Sequence, residues 1–206
     1  MNTSSGGPAG LESLNGLPAE LARQRMLACC SSRRWAAEVA AGRPFASVDE
    51  ILARSDQSVA GLTQADLEEA LAGHPRIGDR SATEADGGTQ ASDGAAVGWS
   101  GQEQAGVRAA DQGTVRALAA GNQVYEERFG HIYLVCATGR SGTELLTLLR
   151  ERLGHDPGTE WEVARRELGK INQIRLRKLL EGPGELEGPG ELEELRPPGG
   201  RAGDTG

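Results

Sequence analysis

The chain has 206 residues, of which 37% are hydrophobic and only 3% aromatic, so Leu, Ala, Val and Ile must build the core of one domain of roughly 100–200 residues with additional tails. The formal net charge of −8 argues against nucleic acid or an anionic membrane as a partner. The chain contains no apolar run of about 18 residues for a membrane span and no secretory signal pattern at its start, so a cytoplasmic location is predicted.

Both ends of the chain have compositions typical of disordered segments. Residues 1–14 are small and polar, and residues 181–206 contain two copies of Glu-Gly-Pro-Gly-Glu-Leu followed by Gly- and Pro-rich sequence. This C-terminal stretch holds seven acids and two bases, so it accounts for −5 of the net charge. Gly and Pro at this density do not form a packed element. We therefore predict disorder at 1–14, a single domain at 15–180, and a dispensable acidic tail at 181–206.

Between the tails, the first patterns in chain order are helical. Pro18 suits a first helical turn, and further helices are predicted at about 32–41 and 48–58. Another helix follows Thr63 and ends at Gly73. Three later segments begin with Ser or Thr followed by Glu at the third position, the spacing of a capping box. These pairs are Ser100/Glu103, Ser141/Glu144 and Thr159/Glu162.

Two stretches in the second half of the chain do not show a helical pattern. Residues 81–98 are rich in Gly, Ser, Ala and Asp and are predicted to form a long surface loop. Residues 129–137 are the one strand-like run, and without a partner strand they are interpreted as an extended segment packed between helices. Strands and helices do not alternate along the chain, which favours an all-α fold class, a single-domain bundle of several helices.

The cysteines and histidines show no spacing typical of a metal site or of a disulfide framework. They are Cys29, Cys30, Cys136, His74, His131 and His155. An odd number of cysteines, two of them adjacent, favours reduced thiols packed in the protein. The histidines lack H-x-x-x-H or C-x-x-C partners, so no metal site is predicted.

Arg175 lies in the middle of the apolar face of the last helix. On a helical wheel of about 100° per residue it falls between Ala164 and Leu168. An arginine is rarely buried without a partner, so one interpretation is an anion inside the molecule. The alternative is a packed side-chain stem with its guanidinium in solvent. If Arg175 awaits an anionic ligand and is poorly paired without it, Arg175→Met should be tolerated or mildly stabilising.

Polar residues after the fourth predicted helix and at the start of a later one suit chemistry at a site. His74 has its backbone restricted by Pro75, and a rigid, partly exposed imidazole there suits proton transfer, although a structural histidine is the alternative. Ser100, Glu103 and Gln104 share one helical face. Capping by the first two is the alternative there, and it leaves Gln104 unexplained.

Four sequence blocks, in their order and spacing, resemble the 2-oxo-4-hydroxy-4-carboxy-5-ureidoimidazoline (OHCU) decarboxylase family. They are HPRIGD at 74–79, S-x-x-E-Q-A-G at 100–106, N-x-x-Y-x-x-R-F-G at 122–130 and E-x-x-x-A-x-x-E-L-x-K-I-x-x-x-R-L at 160–176. The resemblance covers about residues 15–180. It implies an all-helical fold, often a homodimer, that decarboxylates the ureidoimidazoline to (S)-allantoin in urate degradation without a cofactor.

The resemblance also implies roles for individual residues. His74 matches the catalytic histidine, and Glu103 matches the carboxylate beside it. Seven further residues are implied to bind the small-molecule substrate, three of them in the stretch at 129–137, whose backbone lines the pocket. These residues are Pro75, Ser100, Gln104, Arg175, Phe129, Ile132 and Val135.

Two other functions compete with the decarboxylase. One is a non-catalytic helical module that binds a small molecule in the same pocket. The presence of His74, Glu103 and Arg175 together argues against it. The other is a metal hydrolase built around the histidines, which the lack of ligand spacing disfavours.

Overall fold

A computed structural model describes residues 9–78 and 103–181, and every regular element in these two stretches is a helix. The predicted all-α fold class is therefore confirmed. The helices are α1 (Ala9–Gly16), α2 (Ala19–Cys29), α3 (Arg33–Ala41), α4 (Val48–Ala60), α5 (Gln64–Ala72), α6 (Ala105–Arg108), α7 (Gln112–Phe129), α8 (Gly142–Arg152) and α9 (Pro157–Glu181). None of the helices in the described stretches has the length and hydropathy of a membrane span. The predicted loop at 81–98 and residues 182–206 of the predicted tail lie outside the described residues.

Polar residues begin four of these helices, close to the starts predicted from the sequence. The side-chain oxygens of Ser32, Ser47, Thr63 and Ser141 each accept a hydrogen bond from the backbone N–H three residues later. Such caps satisfy N–H groups that have no partner in the first helical turn. Thr63 and Ser141 form full capping boxes, so the box predicted at Ser141 is confirmed.

The predicted disorder extends too far into the chain, because α1 begins at Ala9. Leu11 and Leu14 are buried, and α1 packs against α9. The expectation for residues 9–14 is therefore wrong, since two leucines one turn apart are enough to hold a short helix on an apolar surface. Residues 1–8 lie outside the described part of the chain.

The capping box predicted at Thr159 and Glu162 is also wrong. Helix α9 begins at Pro157, and the carboxylate of Asp156 accepts hydrogen bonds from the Thr159 N–H at 3.0 Å and its hydroxyl at 2.6 Å. Asp156 is an N-cap in place of the threonine, and Pro157 suits the first helical position because it has no N–H to satisfy.

Residues 131–137 run between two hydrophobic clusters. Leu134 and Cys136 pack in the cluster formed by α1–α5 and α9, whereas the odd-numbered residues from Tyr133 to Ala137 pack in the cluster formed by α7 and α8. Successive side chains that point to opposite sides are the pattern of extended backbone. The predicted extended segment packed between helices is therefore confirmed for these residues.

Candidate active site

His74 follows Gly73, the C-cap of α5, and its imidazole is buried. The residue is 9% exposed, so the expectation of a partly exposed ring is wrong. Its Nδ1 lies 2.8 Å from the carbonyl oxygen of Ala70, which can only accept, so Nδ1 carries the proton and Nε2 keeps a lone pair. Burial, followed by the charge of Arg175, lowers the pKa of His74 to about 4. His74 is therefore a neutral imidazole at pH 7.

A buried ion pair joins Glu103, shortly before α6, to Arg175 on α9. Nε of Arg175 donates to Oε1 of Glu103 at 3.0 Å, and Nη2 donates to Oε2 at 2.9 Å. Arg175 is 2% exposed and Glu103 is 8% exposed. The predicted burial of Arg175 beside an anion is therefore confirmed, but that anion is a carboxylate of the same chain.

The remaining nitrogen of the Arg175 guanidinium points toward His74. Nη1 donates to the carbonyl oxygen of Cys29 at 3.1 Å and lies 3.3 Å from Nε2 of His74. Arg175 therefore stands between Glu103 and His74. By pairing with the guanidinium at two points, the carboxylate fixes both the position and the plane of the group that faces the imidazole.

A cavity opens beside these three side chains. The loop after α5, the start of α6, the extended segment and α9 all contribute to its wall. Its lining residues are His74, Pro75, Ile77, Glu103, Gln104, Tyr133, Leu134, Val135, Ala137, Thr138, Ile171 and Arg175. The fold therefore brings six of the sequence-predicted residues to one cavity, from positions up to about 100 residues apart in the chain.

The other three predicted site residues are not on this wall. Phe129 ends α7, and its ring packs against Tyr125 with 4.7 Å between the ring centroids. Ile132 packs against the cluster of α1–α5 and α9. Neither residue is part of the wall of this cavity, to which the extended segment contributes from Tyr133 onward. Ser100 lies outside the described residues.

Gln104 ties the loop that carries His74 to the start of α6. Its Oε1 accepts from the Gly78 N–H at 3.0 Å, and its Nε2 donates to the Arg76 carbonyl at 3.4 Å. On the other side of the loop, Nδ2 of Asn122 donates to the Ile77 carbonyl at 2.8 Å. Sequence reasoning assigned Gln104 to substrate alone and missed this bracing, which no local pattern reveals.

Five apolar lining residues were not predicted from the sequence. Ile77 and Ile171 lie inside the sequence blocks quoted above, and Tyr133, Leu134 and Ala137 lie in the strand-like run. Their position in those stretches was the available signal. Apolar residues in such places are more often plain core residues, so they could not be singled out.

The chemistry of the cluster is that of an anion site with a proton acceptor. A guanidinium and a neutral imidazole share one wall, and apolar residues form much of the remainder. Burial raises the pKa of Cys29 to about 12 and that of Cys30 to about 11, so these neighbouring thiols are neutral and unreactive at pH 7. Among residues 9–78 and 103–181, no group of three His, Cys, Asp or Glu side chains is arranged to hold a metal ion.

Comparison with known sequences gives matches over most of the chain. Residues 15–177 match the family model of OHCU decarboxylase. The chain is 33% identical over 148 residues to 2-oxo-4-hydroxy-4-carboxy-5-ureidoimidazoline decarboxylase of Amia calva, which covers 72% of this chain and 81% of the relative. It is 30% identical over 167 residues to the uric acid degradation bifunctional protein TTL of Arabidopsis thaliana, covering 81% of this chain but only 50% of that longer relative.

The fold is similar to that of a solved structure as well. A crystal structure of OHCU decarboxylase in the presence of (S)-allantoin aligns with a TM-score of 0.64 and 26% sequence identity. The alignment covers 77% of this chain and 99% of the other. Together with the family match over residues 15–177, this similarity leads to one conclusion: the chain belongs to the OHCU decarboxylase family.

Proposed function

We propose that this protein decarboxylates 2-oxo-4-hydroxy-4-carboxy-5-ureidoimidazoline to (S)-allantoin in urate degradation. The observation that carries the proposal is the cluster of His74, Glu103 and Arg175 on one wall of a cavity, in a chain of this family. The names of the relatives from Amia calva and Arabidopsis thaliana support the same reaction and pathway.

The reaction breaks the bond between ring carbon 4 and its carboxylate and releases carbon dioxide. The electron pair moves into the adjacent carbon–nitrogen double bond of the imidazoline ring, so the substrate supplies its own electron sink. The ring nitrogen takes one proton from solvent. The 4-hydroxyl then becomes a ring carbonyl as its proton leaves, and a proton is added to the ureido-bearing carbon, which is the stereocentre of allantoin.

In this proposal Arg175 binds and orients the carboxylate that leaves. Glu103 holds Nε and Nη2, so the guanidinium cannot rotate, and Nη1 faces His74 beside the cavity. A cation fixed before the reaction stabilises developing negative charge without having to reorganise. Gln104 and Pro75 complete the polar edge and the apolar edge of the substrate site.

His74 acts in this proposal as a base that becomes an acid. Its neutral state and its unprotonated Nε2 suit it to take the proton of the 4-hydroxyl. The same nitrogen then returns the proton to the ureido-bearing carbon. Delivery from one fixed nitrogen on one wall of the cavity places the proton on one face of the ring, which accounts for a single enantiomer.

The test is to generate the unstable substrate in place from urate with urate oxidase and hydroxyisourate hydrolase. Circular dichroism should then show (S)-allantoin forming faster than in the same mixture without this protein, and an exhaustively chelated sample should perform equally. Racemic allantoin at the uncatalysed rate would contradict the proposal. Tight binding of (S)-allantoin without turnover would instead identify the non-catalytic binding module.

We further infer that the protein is cytoplasmic and forms a homodimer. Three free, buried cysteines fit a reducing compartment. The homodimer follows from the family resemblance. Light scattering coupled to gel filtration measures the oligomeric state, and a monomer at micromolar concentration would contradict the second inference.

A further inference from the structure

We propose that Arg152 and Glu167 are positioning residues for this reaction, which hold the extended segment at 131–137 so that the backbone amide of Val135 faces the ligand. Neither residue lines the cavity, and neither has a role in the mechanism given above. This inference rests on the proposed function, because it concerns how the substrate pocket is shaped.

Arg152, at the end of α8, binds the backbone of the segment from within the core. Its Nη1 donates to the carbonyl oxygen of Leu134 at 2.7 Å, and the residue is 5% exposed. Its Nε and Nη2 donate to the buried carboxylate of Glu160 on α9 at 2.8 and 2.5 Å. The hydroxyl of Tyr125 also donates to this carboxylate. A cation fixed in this way sets the position of the Leu134 carbonyl.

Glu167 on α9 binds the same segment two residues further along. Its Oε2 accepts from the Cys136 N–H at 2.8 Å, and its Oε1 accepts from Nζ of Lys170 at 2.6 Å. Glu167 and Arg175 are eight residues apart on one helical face, roughly 12 Å along the axis. The helix that supplies Arg175 to the site therefore also fixes the facing wall.

These two contacts determine which way the backbone of Val135 points. In extended backbone the N–H and C=O groups of alternate residues lie on the same edge, and those of the residue between them lie on the opposite edge. The Leu134 carbonyl and the Cys136 N–H are both held on the edge toward Arg152 and Glu167. Val135, which lines the cavity, therefore directs its own N–H and C=O away from those side chains.

The backbone groups of Val135 have no protein partner in the described part of the chain. Val135 is 5% exposed, and neither its N–H nor its C=O makes a hydrogen bond to another described residue. Buried backbone groups are almost always paired, so a donor and an acceptor left side by side at a cavity indicate a ligand that supplies both. A ureido group or a ring amide, with N–H beside C=O, matches them.

The experiment uses Arg152→Lys, Glu167→Leu and Glu167→Gln. The lysine keeps a cation beside Glu160 but cannot also reach the Leu134 carbonyl, and the leucine removes the acceptor for the Cys136 N–H. Both variants should raise KM, and weaken (S)-allantoin binding, by about tenfold, the effect of losing roughly one good hydrogen bond, with a smaller change in kcat. Glu167→Gln retains an acceptor oxygen and should restore a near-normal KM.

Arg165→Lys is the matched control. Arg165 lies on α9, as Glu167 does, and its guanidinium binds backbone carbonyls away from the cavity. Its Nη1 donates to the carbonyls of Val59 and Leu62 at 3.0 and 2.8 Å. This variant should lower the melting temperature without changing KM. If it raises KM as much as Arg152→Lys does, or if Arg152→Lys and Glu167→Leu leave KM unchanged, the proposal is overturned.

Hydrogen exchange separates this proposal from the proposed function. In the ligand-free protein the Cys136 amide should exchange faster in Glu167→Leu than in wild type, while amides of α4 keep their protection. An inactive wild-type protein would refute the decarboxylase, yet exchange would still report whether Glu167 holds the segment. Unchanged exchange at Cys136 would refute the positioning role even in an active enzyme.

Discussion

At the scale of single residues, the properties of His74 follow from the location of one proton. The Ala70 carbonyl holds the Nδ1 proton, and burial beside Arg175 disfavours a second one. Asparagine can place its amide nitrogen near the position of Nδ1 and keep the bond to Ala70, but it has no counterpart of Nε2. A comparison of histidine with asparagine at position 74 therefore separates the structural role of His74 from its chemical role.

We predict that His74→Asn keeps the fold and lowers kcat/KM by about 10²–10⁴, the usual contribution of a positioned acid or base. The coupled urate assay measures the rate, and thermal melts of both proteins provide the control for folding. Near-normal turnover in a well-folded variant would assign the proton transfer to another group, with Glu103 as the next candidate.

The lowered pKa of His74 has a consequence for pH dependence. The folded value of about 4 lies below the ordinary value of 6.5, so between these pH values the unfolded chain binds a proton that the folded protein does not. The stability from this residue is therefore fully present above pH 6.5 and is lost as pH falls toward 4. The free energy of unfolding of wild type should fall by up to about 1.4 kcal/mol per pH unit more than that of His74→Asn in this window.

Urea denaturation of both proteins at several pH values measures this difference. The same neutral imidazole should keep kcat/KM near its maximum at pH 6, with a decline only as pH approaches 4. A decline centred near pH 6.5, together with identical pH dependence of stability in the two proteins, would contradict the assignment of a neutral buried His74.

The buried ion pair with Glu103 changes the expected effect of replacing Arg175 on stability. A poorly paired arginine would tolerate replacement by Met, but Glu103 holds the guanidinium of Arg175 at two points. The substitution would leave the carboxylate of Glu103 buried without a counter-charge. We now predict that Arg175→Met destabilises the protein by about 3–5 kcal/mol, the usual cost of removing one partner of a buried ion pair.

Adding Glu103→Gln to Arg175→Met removes the stranded charge and should recover part of that loss. Denaturant unfolding of wild type, both single variants and the double variant forms a complete cycle. Additive free energies in the cycle, or a single Met variant as stable as wild type, would show that the two charges do not depend on each other.

At the scale of elements, α9 organises the site because one face of it carries several buried polar groups. Glu160, Glu167 and Arg175 are each buried, and each contacts a different part of the chain. The orientation of α9 about its own axis therefore has to suit all of these contacts at once. Its starting point is set by Asp156, which accepts two hydrogen bonds from Thr159.

We predict that Asp156→Ala lowers the free energy of unfolding by about 0.5–2 kcal/mol, the usual value of an N-cap. Glu162→Ala is the control, because Glu162 does not cap the helix and, among the described residues, its one ion pair is with Arg165 at 3.6 Å. It should change stability by no more than about 0.5 kcal/mol. If urea denaturation showed an equal loss of unfolding free energy for the two variants, it would support the capping box of Thr159 and Glu162 that the sequence predicts.

At the scale of the whole molecule, the described helices extend from α1 to the end of α9, and these two helices pack against each other. A β-carbon at Gly10 would lie 1.9 Å from the carbonyl oxygen of Leu180, so their backbones are nearly in contact. The catalytic unit that we propose therefore includes α1, which the sequence assigned to a tail. The last described residue of α9 is Glu181.

We predict that a chain ending at Glu181 keeps the stability and activity of the full chain, because acidic Gly- and Pro-rich sequence buries little. In that shortened chain Leu180→Ala should cost about 2–5 kcal/mol, since Leu180 is 4% exposed. Thermal melts and the coupled assay measure both. A shortened chain that loses activity or unfolds would show that residues 182–206 contribute after all.

The sequence alone predicted the fold class, most helix boundaries in the first half of the chain and six of the residues that line the cavity. Boundaries such as those of α3 and α5 depend on local signals, namely an N-cap oxygen and a terminal glycine, which act within one helical turn. The candidate residues His74, Glu103 and Arg175 could be found because their blocks resemble a family. The position of Arg175 on an apolar face added a physical reason, and its burial is confirmed.

How these residues are paired, and which others support them, depends on the three-dimensional packing of the chain. The partner of Arg175 lies 72 residues away in the chain, and no local pattern encodes contacts at that separation. The burial of His74, the bracing by Gln104 and the hold of Arg152 and Glu167 on the extended segment have the same origin. Each depends on packing between distant elements, since a buried polar group must find whatever partner the fold brings to it.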